Sequence, residues 1–176
     1  MKKILSLAVI ASLFSFGTFA QKKAEDKSKR PSPPATATAT VNGTVITVNY
    51  SVVSLKGRTI GTDVEPKAGQ VWRTGANEAT TFEVSKDVTI GGNKLPAGKY
   101  GLFTIYNGNE VTVIFNKTWD QWGAYDYKEA ADAFRIKVPL AKPAATADKL
   151  NFSIDASGKV TWVWGNTSAS FDVKTS

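Results

Sequence analysis

The sequence predicts an all-β protein, an antiparallel β-sandwich of the jelly-roll type with roughly nine strands. Three observations predict this class: short runs in which apolar and polar residues alternate, turn residues at regular intervals between these runs, and the lack of a long amphipathic helical pattern. A closed antiparallel β-barrel is the alternative. Both architectures produce the same alternation, so the sequence leaves the choice between them open.

The C-terminal part of the chain contains the clearest strands. In Phe134–Val138 apolar residues alternate with basic residues, and in Leu150–Ile154 they alternate with polar residues. A turn at Ser157-Gly158 leads into Val160–Trp164, and Phe171–Val173 is the last run. These runs predict a set of antiparallel strands with one buried and one wet face.

The N-terminal part of the domain begins with a predicted hairpin. Thr36–Val41 and Thr44–Tyr50 flank Asn42-Gly43, a pair that tolerates the positive φ angles of a type I′ turn. The Thr and Ala alternation of the first arm is typical of an edge strand. Four further strands are predicted between Gly-rich and Pro-rich turns: Thr80–Ser85, Val88–Ile90, Lys99–Tyr106 and Glu110–Asn116. At most, residues 128–133 form a turn or two of helix.

The first residues have the pattern of a signal peptide. Lys2 and Lys3 precede an apolar stretch over residues 4–16, and Thr18 and Ala20 flank Phe19 in a small-x-small arrangement. We expect cleavage after Ala20 and a periplasmic or secreted protein. The apolar stretch is shorter than the roughly 20 residues that span a bilayer, so no transmembrane segment is expected after cleavage.

Domain boundaries follow from composition. Residues 21–34 read QKKAEDKSKRPSPP and contain no large apolar side chain, so we predict a basic disordered linker over residues 21–35. Residues 36–176 then form a single β-sandwich domain. Much of the net charge of +7 lies at the N-terminal end, and nucleic acid is not an expected partner of an exported protein. The oligomeric state is left open.

Composition also excludes several kinds of chemistry. The chain of 176 residues contains no cysteine and no histidine. Disulfides, thiolate nucleophiles, iron–sulfur clusters, imidazole ligands and Ser-His-Asp triads are therefore excluded. No cofactor is expected, and any metal would need oxygen ligands only.

Two segments interrupt the strand pattern and carry the candidate site. Residues 71–80 read VWRTGANEAT, and residues 116–127 read NKTWDQWGAYDY. The first loop is either braced by an Arg73–Glu78 pair or turned toward a cleft, and the second either plugs the end of the sandwich core or forms a ligand platform. The predicted ligand-binding residues are Arg73, Asn77, Glu78, Trp119, Asp120, Gln121, Trp122, Tyr125 and Asp126.

These segments favour a non-catalytic binding module for a polar ligand such as a glycan, because aromatic rings stack on sugars while short acids and amides bond hydroxyl groups. One alternative is a histidine-free hydrolase in which two of the loop carboxylates Glu78, Asp120 and Asp126 act on a glycosidic bond. The other is a structural envelope-interaction protein without a small ligand, steered by its basic tail.

Several motifs together resemble a known family. They are VWRTGANEAT, LPAGKYGLFTI over residues 95–105, VIFNK over 113–117, DQWGAYDY over 120–127, RPSPPAT from Arg30 and KGR over 56–58. In this order they resemble an uncharacterised family of exported Gram-negative bacterial proteins, domain of unknown function family 2911. The resemblance implies export and an all-β domain, and it brings no activity, substrate or catalytic residue.

Overall fold

The computed structural model describes residues 25–175. The predicted signal peptide and the first residues of the predicted linker lie outside the described residues. Within them, twelve strands form two antiparallel sheets, and the only helical elements are two three-residue 3₁₀ helices, Lys27–Lys29 and Glu129–Ala131. Two separate sheets resolve the open choice in favour of the β-sandwich. No helix in the described part of the chain is long and apolar enough to cross a membrane.

The strand bounds, in chain order, are β1 (Pro34–Val41), β2 (Thr44–Ser51), β3 (Val71–Trp72), β4 (Thr81–Val84), β5 (Val88–Ile90), β6 (Asn93–Leu95), β7 (Gly98–Asn107), β8 (Glu110–Asn116), β9 (Asp132–Pro139), β10 (Ala147–Ile154), β11 (Lys159–Gly165) and β12 (Thr167–Thr175). The first sheet has seven strands in the order β1-β2-β4-β7-β8-β9, with β3 also paired to β7. The second has five, in the order β10-β11-β12-β5-β6. The chain therefore crosses between the sheets after β4, after β6 and after β9.

The first hairpin has the predicted turn. Asn42 and Gly43 have φ angles of 48° and 72°, as a type I′ turn requires, and Val41 pairs with Thr44 across it. Strand β1 lies at the edge of its sheet, with exposed threonines alternating with partly buried alanines. The prediction of an edge strand is thus confirmed.

The core fills the space between the two sheets with apolar side chains from both. Phe82 and Phe115 of the first sheet meet Phe171 of the second in edge-to-face contacts of 5.7 and 5.5 Å between ring centroids. Trp162 is 1% exposed, and its Nε1 donates a hydrogen bond of 2.9 Å to the hydroxyl of Tyr106. Such burial supplies the main driving force for a chain without disulfides.

Two strands were not predicted: β3 has only two residues, and β6 (Asn93–Leu95) contains one apolar residue, so neither displays an alternation. A second difference lies at the N-terminal end. The composition predicts a disordered linker through residue 35, whereas the structure places residues 25–33 against the sandwich and begins β1 at Pro34. Specific ion pairs and hydrogen bonds hold this segment, and composition does not reveal them.

Candidate functional site

The two segments that the sequence singled out lie side by side. Glu78 and Trp122 form an isolated antiparallel bridge. The backbone N–H of Ala79 donates to the carbonyl of Gln121 over 3.0 Å, and the N–H of Gly123 donates to the carbonyl of Asn77 over 3.0 Å. The two loops are therefore one structural unit on the seven-stranded sheet.

The first loop is shaped by local polar contacts. Thr74 and Asn77 both adopt positive φ angles, 54° and 56°. The hydroxyl of Thr80 donates to the carbonyl of Thr74 over 2.9 Å, and the N–H of Ala76 donates to the carbonyl of Ser51 over 3.2 Å. These bonds hold the loop in a compact bend. Glu78 follows directly after Asn77, whose backbone is in the left-handed conformation.

The second loop is anchored by two buried amide side chains. Asn116 is fully buried; its Nδ2 donates to the carbonyl of Lys128 and to the carboxylate of Asp132, and its Oδ1 accepts from the N–H of Thr118. Gln121 is 8% exposed and donates from Nε2 to the carbonyl of Thr118 over 2.8 Å. These bonds fix the path of the aromatic segment between its two ends.

A small apolar cluster on the outer face of the seven-stranded sheet supports this loop. Phe103 and Ile114 are fully buried there, and the ring of Tyr127 packs on Phe103 with centroids 5.1 Å apart. Gly101 lies next to them on β7, and a Cβ at this position would lie 2.7 Å from the Phe103 ring and 3.2 Å from the carbonyl oxygen of Thr118. The glycine therefore permits the close approach of the loop to the sheet. The aromatic loop covers a sheet face, and it does not plug the end of the sandwich.

An open cleft of about 250 Å³ lies between the two loops and the sheet. Its polar and aromatic lining residues are Lys27, Asn49, Tyr50, Ser51, Glu78, Thr81, Lys99, Trp119, Asp120 and Gln121. Trp119 is 38% exposed, and the ammonium of Lys99 lies 4.4 Å from the centroid of its ring. The cleft thus presents an aromatic ring, a cation, a carboxylate and amides within one small space.

Glu78 is held as a carboxylate by cations from the N-terminal segment. Its oxygens accept two hydrogen bonds from Nη1 of Arg30, at 3.0 and 2.8 Å, and one from Nζ of Lys27 at 2.8 Å. Burial would raise the pKa of Glu78, but hydrogen bonds from Lys27, from its own backbone N–H and from Arg30 outweigh it and lower the pKa to about 2. This carboxylate stays ionised and is engaged on both oxygens.

Arg30 joins three groups of the site. It binds Glu78 through Nη1, and it binds Glu25 through Nε and Nη2 at 2.8 and 2.6 Å. Its guanidinium also lies over the ring of Trp122, 5.7 Å from the centroid. Hydrogen bonds to Glu25 and Glu78 raise the pKa of Arg30 above its ordinary value.

The predicted site residues divide into two groups. Four of them line the cleft: Glu78, Trp119, Asp120 and Gln121. Five do not: Arg73, Asn77, Trp122, Tyr125 and Asp126. Among these, Trp122 faces Arg30, Asn77 donates from Nδ2 to the carbonyl of Ser32 over 2.8 Å, and Tyr125 is 84% exposed.

Arg73 lies on the other side of the first loop, near Glu65 and Tyr125. Burial lowers the pKa of Arg73, and the neighbouring Tyr125 and Glu65 oppose this effect. Among the described residues Glu78 forms ion pairs with Lys27 and Arg30 and none with Arg73. Of the two alternatives for this loop, the Arg73–Glu78 brace is not formed among the described residues, because the carboxylate binds cations that come from outside the loop.

Several residues of the site were not predicted. Lys27 and Arg30 belong to the supposed linker, while Asn49 and Lys99 are outward-facing residues of β2 and β7. Asn49 pairs with Thr81, and Thr81 pairs with Gly101, so β2 and β7 lie on either side of β4. This pairing brings Asn49 and Lys99 under the two loops. No local sequence signal reveals that arrangement. Within residues 25–175 no three acidic side chains cluster as a metal site would require.

The fold and the site define an all-β sandwich domain with a cleft between two loops on one sheet. The chain belongs to the family described as "Protein of unknown function (DUF2911)", which matches residues 32–173. This membership confirms the resemblance that the sequence motifs indicate. Neither the curated proteins nor the solved structures yield a significant match.

Proposed function

We propose that the protein is a non-catalytic binding module whose cleft holds a polar ligand such as a glycan. The observation that carries this proposal is the half-exposed ring of Trp119 in a cleft that also contains Asp120, Asn49 and Lys99. A partly exposed aromatic ring can stack on the apolar face of a sugar, and the polar groups beside it can bond the hydroxyls around its edge. The signal-peptide pattern of residues 1–20 supports binding in the periplasm or outside the cell.

The state of Glu78 argues against a glycosidase in which this residue is the general acid. A general acid needs a carboxyl group whose pKa is raised so that it carries a proton near neutral pH. The pKa of Glu78 is instead lowered to about 2, and both oxygens accept hydrogen bonds from cations. Asp126 does not line the cleft, so among the described residues the cleft contains two carboxylates, Glu78 and Asp120. Of this pair, Glu78 is unsuited to the role of general acid.

The contacts of Lys27 and Arg30 count against a purely electrostatic tether that would use these two charges. Lys27 and Arg30 bind Glu78, and Arg30 also binds Glu25. Cations that are neutralised in this way contribute little to attraction of an anionic surface. A basic tail that steers the whole protein would instead be expected to keep its charges free.

The experiment compares two aromatic variants of the same loop. Trp119→Ala removes the ring that lines the cleft, and Tyr125→Ala removes an exposed ring outside it. Binding of tetramers of N-acetylglucosamine, cellulose, maltose and mannose is measured by titration calorimetry and by NMR shifts. We expect at least one tetramer to bind, Trp119→Ala to weaken its binding by about tenfold or more, and Tyr125→Ala to leave it unchanged.

Circular dichroism and thermal melting confirm that both variants fold. Lack of binding by all four tetramers at millimolar concentration would reject this ligand class. Equal loss in the two variants would show that the cleft is not the binding site.

A further inference from the structure

The edge of β1 is a free backbone surface. This strand has eight residues, carries no charged side chain and contains no bulge in its pairing with β2. An exposed, flat and uncharged edge presents unpaired N–H and C=O groups that can pair with another strand. Natural sheets commonly protect such edges against pairing. An edge without this protection is therefore a candidate site for pairing with another strand.

The other edges of the two sheets are protected. Strand β9 carries Arg135, Lys137 and a terminal Pro139, and its pairing with β8 is irregular. Strand β6 has three residues. The edge of β10 is covered, because Leu150 donates to the carbonyl of Val53 and Leu55 donates to the carbonyl of Asp148. These are the usual devices against edge pairing. Within the described part of the chain, strand β1 has no charge, no bulge and no covering segment, and its one proline, Pro34, is its first residue and lies outside the Thr36–Thr40 stretch.

The turn geometry shows which groups of β1 face outward. The two-residue turn makes Val41 and Thr44 a hydrogen-bonded pair. The backbone N–H and C=O groups of Val41, and of every second residue before it on β1, therefore point toward β2. The backbone groups of Thr36, Thr38 and Thr40 therefore point away from β2. Within residues 25–175 these groups have no backbone hydrogen-bond partner, although β10 lies nearby in the opposite sheet.

We propose that this edge pairs with β1 of a second copy of the chain, antiparallel and centred on Thr38. The sequence around Thr38 reads the same in both directions over residues 36–40, Thr-Ala-Thr-Ala-Thr. In this register Thr38 faces Thr38 of the second copy, and Thr36 of each copy faces Thr40 of the other. Three mutual pairs give about six backbone hydrogen bonds.

Side chains in this register are compatible on both faces. The threonines lie together on the wet face, and the alanines lie together on the face that packs against the core. No like charges are placed opposite each other, which would weaken the pairing. A heterologous strand with charged or bulky side chains would lack this match, so the pattern favours a second copy over an unrelated peptide.

Sedimentation of the purified protein over micromolar to millimolar concentrations tests the proposal. We expect a monomer–dimer equilibrium in the wild type. Thr38→Lys places two ammonium groups beside the two-fold axis and should weaken dimerisation by about tenfold or more. Thr47→Lys is the matched control, because Thr47 lies opposite Thr38 on β2, one strand further from the axis.

A cysteine variant gives a second readout, since the chain has no cysteine of its own. The Cα atoms of a hydrogen-bonded antiparallel pair are about 5.5 Å apart, within the range for a disulfide. Thr38→Cys should therefore form a covalent dimer on mild oxidation, and Thr47→Cys should not.

A wild type that stays monomeric at millimolar concentration would overturn the proposal. The proposal would also be wrong if a folded Thr38→Lys variant dimerised as strongly as the wild type and Thr38→Cys failed to cross-link. The interface would then lie elsewhere.

Discussion

Arg30 and Glu78, which are 48 positions apart in the sequence, are joined by two hydrogen bonds of 3.0 and 2.8 Å from one guanidinium nitrogen. Glu78 is also bridged through its backbone to Trp122, whose ring lies under the same guanidinium. This contact connects the N-terminal segment with both loops of the cleft. It is the point at which three separate parts of the chain meet.

The contact predicts how acid affects stability. The pKa of Glu78 is lowered from 4.5 to about 2 in the folded protein. The stabilisation that the ionised Glu78 contributes to the folded state is therefore present above pH 4.5, and it is lost as the pH falls toward 2. Because the side chain is partly exposed, we expect no more than about 1 kcal/mol.

Urea unfolding of wild type and Glu78→Gln between pH 7 and pH 2.5 measures this effect. The difference in unfolding free energy should be largest near neutral pH and should shrink below pH 4.5. Glu83→Gln, an exposed glutamate on β4, serves as the control. A difference that is the same at every pH would contradict the assignment.

The same contact predicts the mobility of residues 25–33. Arg30→Ala removes the bonds to Glu25 and Glu78 and the contact with Trp122, so local opening should become easier. We expect hydrogen exchange in this segment to accelerate by about three- to tenfold. Lys29→Ala is the control, because the Lys29 side chain is 83% exposed. Equal acceleration in both variants would show that Arg30 does not hold the segment.

The buried tryptophan of the core gives a third prediction. Tyr106→Phe leaves Nε1 of Trp162 without its acceptor and should destabilise the fold by about 1 to 2 kcal/mol. Tyr125→Phe, at a residue that is 84% exposed, should change stability by less than about 0.5 kcal/mol. Thermal unfolding of both variants provides the comparison, and equal stabilities would refute the role of this hydrogen bond.

Gly101→Ala tests the close approach of the aromatic loop to the sheet. The added methyl group would lie 2.7 Å from the Phe103 ring, so we expect a loss of about 1 to 3 kcal/mol and a shift in tryptophan emission. In Gly108→Ala the methyl group meets no atom within 4 Å, although the φ angle of 58° adds backbone strain. Destabilisation without an emission shift is expected for this control. An unchanged emission in Gly101→Ala would contradict the contact.

Much of the strand pattern could be predicted from the sequence, because alternation is a local signal. Strand β8 was predicted over Glu110–Asn116 and is observed with the same ends. The turn at Asn42-Gly43 was also predicted, since its two residues are selected by their φ angles. Strands β3 and β6 were not predicted, because a two-residue strand and a strand with one apolar residue show no periodicity.

The site was predictable only in part. The sequence singled out both loops, since clustered Trp, Tyr and short polar residues are unusual between strands. It did not reveal that Glu78 binds Arg30 and Lys27, because an ion pair between distant segments leaves no periodic trace. Nor did it show that Trp119 lines the cleft while Trp122 lies under a guanidinium. Both depend on how the loops cross the sheet.

The position of β12 has a consequence for the order of folding. Strand β12 lies between β11 and β5, and Val173 pairs with Ile90 of β5. Within residues 25–175, strands β5 and β6 are thus joined to the rest of their sheet only through β12. The nine residues of β12 are the link between β10-β11 and β5-β6, whereas the first sheet contains no part of β12. Completion of the second sheet therefore depends on pairing between residues 83 positions apart, Ile90 and Val173, and such long-range pairing forms slowly.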